Sequence, residues 1–369
     1  MRWERAIIQQ NGAVDSFLGN FLAQSGRRCA LIAGAGFDPR TLALPRRLRA
    51  HPALDVRMLC LREERLMPQP GLRPIADAHA AELQHMFAGA CTVTPVEIFD
   101  SGGGVVGGRR VVPLVDEYLN AAETKQPLTD ILVDISALSC GIFFPIIAQL
   151  LEKIRVEKRR WNLHLFVAEN PRIDIRIRGE IMDTVSHIHG YLSKDSLSQT
   201  GDHAILWAPV FSENNATQMS RIYDLINQPP AAVDILPIIP FPGLNPRRPD
   251  ELVEHYRELI GDWQIDPRHF LYAAESDPLD SYRSICEIDQ LRADTYRKLG
   301  GSSTVLSPLG SKMLSVGLML AAIERTLRVV YVESLGYEEL AVPVPSAAPA
   351  PALPVTHVWL AGEIYGGLV

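Results

Sequence analysis

Short apolar runs alternate with helix-length amphipathic runs along most of the chain. Cys29–Gly34 (CALIAG) is apolar throughout and predicts a buried strand, with a helix over residues 39–50 that carries Pro39 in its first turn. Residues 55–61 predict a second strand and 76–88 a helix; 91–99 predict a third strand, then a glycine-rich loop and a helix over 112–124. A fourth strand over 130–135, a helix over 142–156 and a fifth strand over Asn162–Ala168 complete the series. Strands this apolar, joined by helices, predict a parallel sheet covered on both faces.

The series then recurs. Strands are expected over 203–208, 232–239, 269–274, 304–306 and 327–333, with helices over 214–226, 249–261, from the third strand to about 299, and 311–325. Matching first residues pair Cys29 with His203, Asp55 with Ala232, Cys91 with His269, Asp130 with Thr304 and Asn162 with Leu327, at a nearly constant spacing. The expected fold class is α/β: two tandem Rossmann-like units, each with a five-stranded parallel sheet, forming a pseudo-dimer. The first unit spans 1–200 and the second 201–369. Each carries a short β appendage: an alternating arm at 173–177 in the first, and in the second an Ala/Pro-rich loop over 342–354 with a strand over 356–365.

Composition narrows the function. The 369 residues are 47% hydrophobic, enough for a packed core. A net charge of −7, from 36 basic and 43 acidic residues, argues against a generic nucleic-acid coat. No apolar run is long enough for a membrane helix, and the first residues lead into no signal-peptide core. Five scattered cysteines without a C-x-x-C pair fit free thiols in a cytoplasmic protein. His187 and His189 lack the partners of a metal site, so neither metal nor cofactor is expected.

In open parallel sheets ligands bind beyond the carboxyl ends of strands, where helix N-termini offer free N–H groups. Gly34-Ala35-Gly36-Phe37-Asp38-Pro39-Arg40 follows the first strand. Gly36 lets the backbone approach a ligand, Asp38 suits an N-cap, and Arg40 is expected on the exposed end of the helix. After the fourth strand, Ser136 and Ser139 stand at a helix entrance, suited to capping or to an anion. In the second unit, Glu213 and Asn214 occupy the loop matching Gly34–Arg40, where polar groups either read a ligand or cap the helix. Ser307-Pro308-Leu309-Gly310-Ser311-Lys312 forms an anion cradle. Lys312 opposes the helix dipole unless an anion neutralises it. It is not a Walker A loop, because Ser311 separates Gly310 from Lys312. The run at 101–108 (SGGGVVGG) lacks the dinucleotide spacing and reads as a hairpin.

The stretch at 307–320 (SPLGSKMLSVGLML) resembles the turn and helix of CARF domains, the Rossmann-like sensors of CRISPR-linked nucleotide signals. Two such units in one chain look like the SAVED arrangement of antiviral signalling. The resemblance implies a prokaryotic sensor in defence; cleavage of the ligand in the site stays open, though no acid–base pair in the sequence compels it. A nucleotide or cyclic oligonucleotide would lie between the units, contacted by Ser311 and Lys312, with a separate effector protein in trans and oligomerisation open. Ser136 and Ser139 would sit in the first unit's matching loop, which has no lysine. A second resemblance links the Gly34–Arg40 turn to class I S-adenosylmethionine-dependent methyltransferases, with Glu63 or Glu64 at the ribose position. Such an enzyme needs one larger sheet with an antiparallel final strand, which the repeated series does not offer. A non-catalytic scaffold subunit is the third reading.

Overall fold

The computed structural model describes residues 1–67, 69–170, 177–182, 184–191, 203–228, 232–339 and 353–365. The chain divides into two units. The larger comprises Arg5–Glu180 and Ser334–Val369, the smaller Met1–Glu4 and Ile181–Glu333. This differs from a division at 200. The C-terminal segment belongs with the first series of strands, because it completes that series' sheet.

In the larger unit the strands are β1 (Ile7–Gln10), β2 (Cys29–Gly34), β3 (Val56–Glu64), β4 (Cys91–Glu97), β5 (Asp130–Asp134), β6 (Asn162–Ala168) and β16 (Val355–Ala361). They form one sheet in the order β1-β16-β6-β5-β2-β3-β4. Strands β2 to β6 are mutually parallel, as the apolar runs predict. β16 is antiparallel to both β6 and β1, so the sheet has the larger size and the antiparallel strand that the repeat alone did not offer. Every residue of β2, β5, β6 and β16 is buried.

The helices of this unit are α1 (Gly12–Phe17), which continues into a π-turn, α2 (Ala43–Arg49), α3 (Arg73–Met86), α4 (Gly107–Lys125) and α5 (Cys140–Val156). α4 begins five residues before the expected start. Gly107 packs so closely on Ile98 and Ile142 that a Cβ would stand 3.0 Å from Ile98 Cδ1. The glycine run before it folds as a turn, with Asp100 Oδ1 accepting from the N–H groups of Gly102 at 2.9 Å and Gly104 at 2.8 Å. The arm expected at 173–177 falls mostly outside the described residues, as does most of the 342–354 loop. What is seen is β7 (Ile177–Ile181) paired with β15 (Ser334–Glu339).

The smaller unit has strands β8 (Ser186–His187), β9 (Ala204–Pro209), β10 (Ala232–Ile235), β13 (Ser302–Ser307) and β14 (Arg328–Tyr331), ordered β10-β9-β13-β14-β8. β8 is antiparallel to β14 and the others are parallel. The expected strand over 232–239 breaks at Leu236-Pro237. Its second half, β11 (Ile238–Pro240), pairs with β12 (Leu271–Ala273), since proline cannot donate to a ladder. The helices are α6 (Ala216–Ile226), α7 (Arg248–His255), α8 (Arg257–Asp262), α9 (Pro278–Tyr296) and α10 (Lys312–Arg325). α10 is buried along most of its length. A Cβ on Gly317 would run into Ser281 Oγ and the Pro278 carbonyl of α9. Gly317→Ala should therefore cost about 1–3 kcal/mol by overpacking, read as a lower denaturant midpoint. An unchanged midpoint would mean that α9 and α10 separate freely.

A polar chain runs through the core of the larger unit. Asp130 accepts from Arg27 Nη1 at 3.1 Å, Thr129 Oγ1 at 2.6 Å, Asn162 Nδ2 at 3.0 Å and His164 Nε2 at 3.2 Å. His164 Nδ1 lies 3.0 Å from His357 Nε2, and His357 Nδ1 lies 3.0 Å from the Gln9 side-chain amide. Burial holds both histidines below the usual range, so each ring carries one proton. The Asp130 carboxylate claims the His164 Nε2–H, and His357 donates to His164. Gln9 must then turn its NH2 group toward His357.

No helix among the described residues is long and apolar enough to cross a membrane.

Candidate functional site

The carboxyl ends of β2, β3 and β5 lie together in the larger unit. Gly34 ends β2 against the loop after β5, and a Cβ there would stand 2.7 Å from the Ala137 carbonyl. This first glycine of the turn therefore serves the fold. Gly36 has only ordinary contacts and lines the cleft described below. Asp38 caps the 3-10 turn Pro39–Leu42 as expected, accepting from Arg40 N–H at 2.9 Å. Arg40, expected on an exposed helix end, is only 6% exposed. Its guanidinium folds back on the Asp38 carboxylate, with Nη2 at 2.6 Å and Nε at 2.9 Å, and this two-point geometry holds the pair inside.

The loop after β5 is built around Asp134. Ser136 donates to its Oδ1 from both N–H and hydroxyl, and the same hydroxyl accepts from Ala168 N–H at 2.7 Å. Burial pushes the Asp134 carboxyl up to about 6, against the two Ser136 donors; Asp38 nearby raises it further and Arg40 lowers it. Ser139 stands at the N-cap of α5, but its hydroxyl makes no capping bond and is buried without a partner. Glu63, at the end of β3, takes the neighbouring role: its Oε1 accepts from Ser139 N–H at 2.7 Å, placing negative charge at the positive end of the helix. Its Oε2 accepts from Arg65 at 2.6 Å. Arg65 also donates to the Ser334 carbonyl and lies 4.8 Å over the Tyr337 ring.

These elements enclose an open cleft of about 120 Å³. Its walls are Ala35, Gly36 and Phe37 after β2, Leu61 to Arg65 at the end of β3, Ala137 after β5, Gln69, Leu72, Arg73 and Ala76 at the start of α3, and Gly336 and Tyr337 of β15. Phe37 and Tyr337 are half-buried, with ring centroids 5.8 Å apart. Arg73 is the first residue of α3, exposed, and its side chain has no hydrogen bond or ion pair among the described residues. A cation at a helix N-terminus is unfavourable without an anion beside it. Chemically the cleft offers a cationic corner, two planar apolar walls and the rim carboxylate of Glu64.

Of the candidates in this unit, Gly36 lines the cleft, while Ser136 and Ser139 flank Ala137 and are engaged or buried behind it. Glu63 and Glu64, offered for the ribose position under the methyltransferase resemblance, do line the cleft; Arg65, Gln69, Arg73 and Tyr337 were not among the candidate binding residues. The charged run at 62–65, directly after the apolar stretch of β3, was a usable signal for Arg65. Tyr337 comes from the far end of the chain and gave none.

In the smaller unit, Glu213 and Glu275 both pair with Arg248. Asn214 is exposed with φ 66°, a left-handed turn residue before the helix. The helix begins at Ala216, and neither Ser212 nor Asn214 caps it; Ser212 and Asn215 instead donate to the Leu309 carbonyl. Ser307 is buried and accepts from Trp207 Nε1 at 3.0 Å. Gly310 is needed for packing, because a Cβ would run into Val210. Ser311 caps α10 by accepting from Leu314 N–H at 3.4 Å, and Lys312 is half-buried at its first residue. Glu213, Ser307, Gly310 and Ser311 thus hold the fold of this loop pair.

No family model matches the chain, and no curated protein matches it. Among solved structures, the chain is similar to a functionally unknown protein, PA1789, from Pseudomonas aeruginosa PAO1. Identity is 13%, with 86% of this chain and 95% of that chain covered, at a TM-score of 0.23.

Proposed function

We propose that the larger unit binds a nucleotide-type anionic ligand in this cleft, and that the chain is a binding protein that passes occupancy on to a partner. The observation that carries the reading is Arg73, whose side chain has no hydrogen bond or ion pair among the described residues, in one cleft with the Phe37 and Tyr337 rings. Phosphate would sit on the Arg73 guanidinium, at the positive end of the α3 dipole. A base would lie against the two rings, and Glu64 would accept from a sugar hydroxyl. An antiparallel strand beside the last parallel strand of each series, β16 beside β6 and β8 beside β14, supports an internal duplication. The tandem sensor arrangement rests on that and on the resemblance at 307–320.

A second reading, the methyltransferase-like enzyme, gains from β16. The antiparallel strand that counted against it is present beside β6, and Glu63 and Glu64 line the cleft. One binding panel separates the two. ATP, cyclic oligoadenylates and S-adenosylmethionine are titrated by calorimetry against the wild type, Arg73→Ala, Tyr337→Ala and Lys312→Ala. Arg73→Ala should weaken nucleotide binding by about 1–3 kcal/mol, the scale of a lost charge-assisted hydrogen bond. Loss in Lys312→Ala alone would move the site to the smaller unit. Binding of S-adenosylmethionine without nucleotides would favour the enzyme, and indifference to all three would leave the scaffold.

A further inference from the structure

Two thiols in the larger unit stand together outside the cleft. Cys60 of β3 and Cys91 of β4 have their sulfurs 3.4 Å apart. Cys60 is fully buried, whereas Cys91 is half-exposed as the first residue of β4, the edge strand of the sheet. The ladder register places Cys91 opposite Met58, and Cys60 opposite Val93. The cysteines are therefore diagonal neighbours on one face. In this parallel pair the strands lie about 4.8 Å apart and two residues rise about 6.6 Å, so the Cα atoms stand roughly 8 Å apart, beyond the span of about 7 Å that a disulfide bridges without backbone movement. The pair is close enough to chelate and too far apart in the backbone to close on itself.

The coordination number is limited as well. Among the described residues no group of three or more His, Cys, Asp or Glu side chains could hold a metal ion. That excludes a closed zinc site, for which two sulfurs at a Zn–S length of about 2.3 Å and a tetrahedral angle would stand about 3.8 Å apart. A three-coordinate trivalent arsenic centre has S–As–S angles near a right angle and a shorter bite, and it needs two sulfurs only. We propose that Cys60 and Cys91 form a bidentate site for a thiophilic centre of low coordination number, with trivalent arsenic as its fitting ligand. The Cys60 S–H holds the Cys91 thiol below the usual range, while its partner is pushed up, so the reachable sulfur is the readier thiolate. With an aryl arsenous oxide two S–As bonds form, the As–O bond breaks, and both thiol protons leave with that oxygen as water. No oxidant is needed.

The test is intact-mass spectrometry of the folded chain with phenylarsine oxide. One adduct is expected, equal to the reagent less one water, that survives excess glutathione and is stripped by a dithiol. Cys91→Ser and Cys60→Ser should each weaken retention by about 10²–10⁴-fold, since a chelate's second bond is intramolecular. Circular dichroism verifies that each variant is folded, and Cys91→Ala replaces any that is not. No adduct on the folded wild type, an adduct lost to glutathione, or an adduct retained in both single variants would overturn the site. So would ready formation of a Cys60–Cys91 disulfide under peroxide, because the register argument would then fail.

Discussion

Asp130→Ala should destabilise the larger unit by about 3–5 kcal/mol, the cost of stripping one partner from a buried ion pair. Both the carboxylate and His164 have fully buried side chains, and the Arg27 side chain is 13% exposed. Burial alone would raise the Asp130 carboxyl; the His164 and Thr129 hydrogen bonds and the Arg27 charge outweigh it and leave the group below its ordinary range. Removing it leaves the Arg27 guanidinium with Glu363 alone and orphans the Asn162 amide and the His164 Nε2–H, and the two imidazoles lose the acceptor that fixes their tautomers. Amide hydrogen exchange on β5 and β6 localises the loss. Asp130→Asn keeps an acceptor and should fall between wild type and alanine. A loss under about 1 kcal/mol would mean that Arg27 finds sufficient compensation in Glu363, with which it is already paired.

Asp134→Asn should flatten the dependence of stability on pH. The folded carboxyl sits at about 6 against an ordinary 3.8, so the folded chain holds the proton more tightly than the unfolded one. Its contribution is complete below the unfolded value and disappears as pH rises through about 6. The difference amounts to about 3 kcal/mol at the usual conversion. His164 and His357 act with the opposite sign. Their folded values are depressed, so their contribution is present above the unfolded histidine range and is lost as pH falls. Urea titrations from pH 4 to 7.5 on wild type and Asp134→Asn isolate the carboxylate, since the histidine slope is common to both. The asparagine keeps an acceptor for both Ser136 donors. Parallel profiles would place the Asp134 proton elsewhere.

The parallel strands were legible because their residues are apolar on both faces: β2, β5 and β6 coincide with their expected runs to within a residue. β1 was not. IIQQ is half-exposed, and its partner lies at the other end of the chain, with Ile7 opposite Trp359. Periodicity carries no trace of that pairing. The start of α4 was hidden for a different reason: a glycine pair has poor helix propensity, yet the contact with Ile98 and Ile142 demands it. The same contrast holds for the cleft. Asp38 as a cap and Gly36 in a turn follow from local chemistry. The bonds Glu63 makes to Ser139, and Arg65 to the Tyr337 strand, join residues from separate loops, and no local spacing encodes them. Arg40 was misplaced because its counter-ion is two residues away and closes a turn that an ideal helix would have left open.

The strand that covers the β6 flank of the larger sheet is separated from it along the chain by the smaller unit. Until Val355–Ala361 emerges, β6 presents a bare edge beside a buried face, and β1 has nothing to pair with. The nascent chain must carry that sticky flank through synthesis of the whole intervening unit, and any truncation short of Val355 makes the exposure permanent.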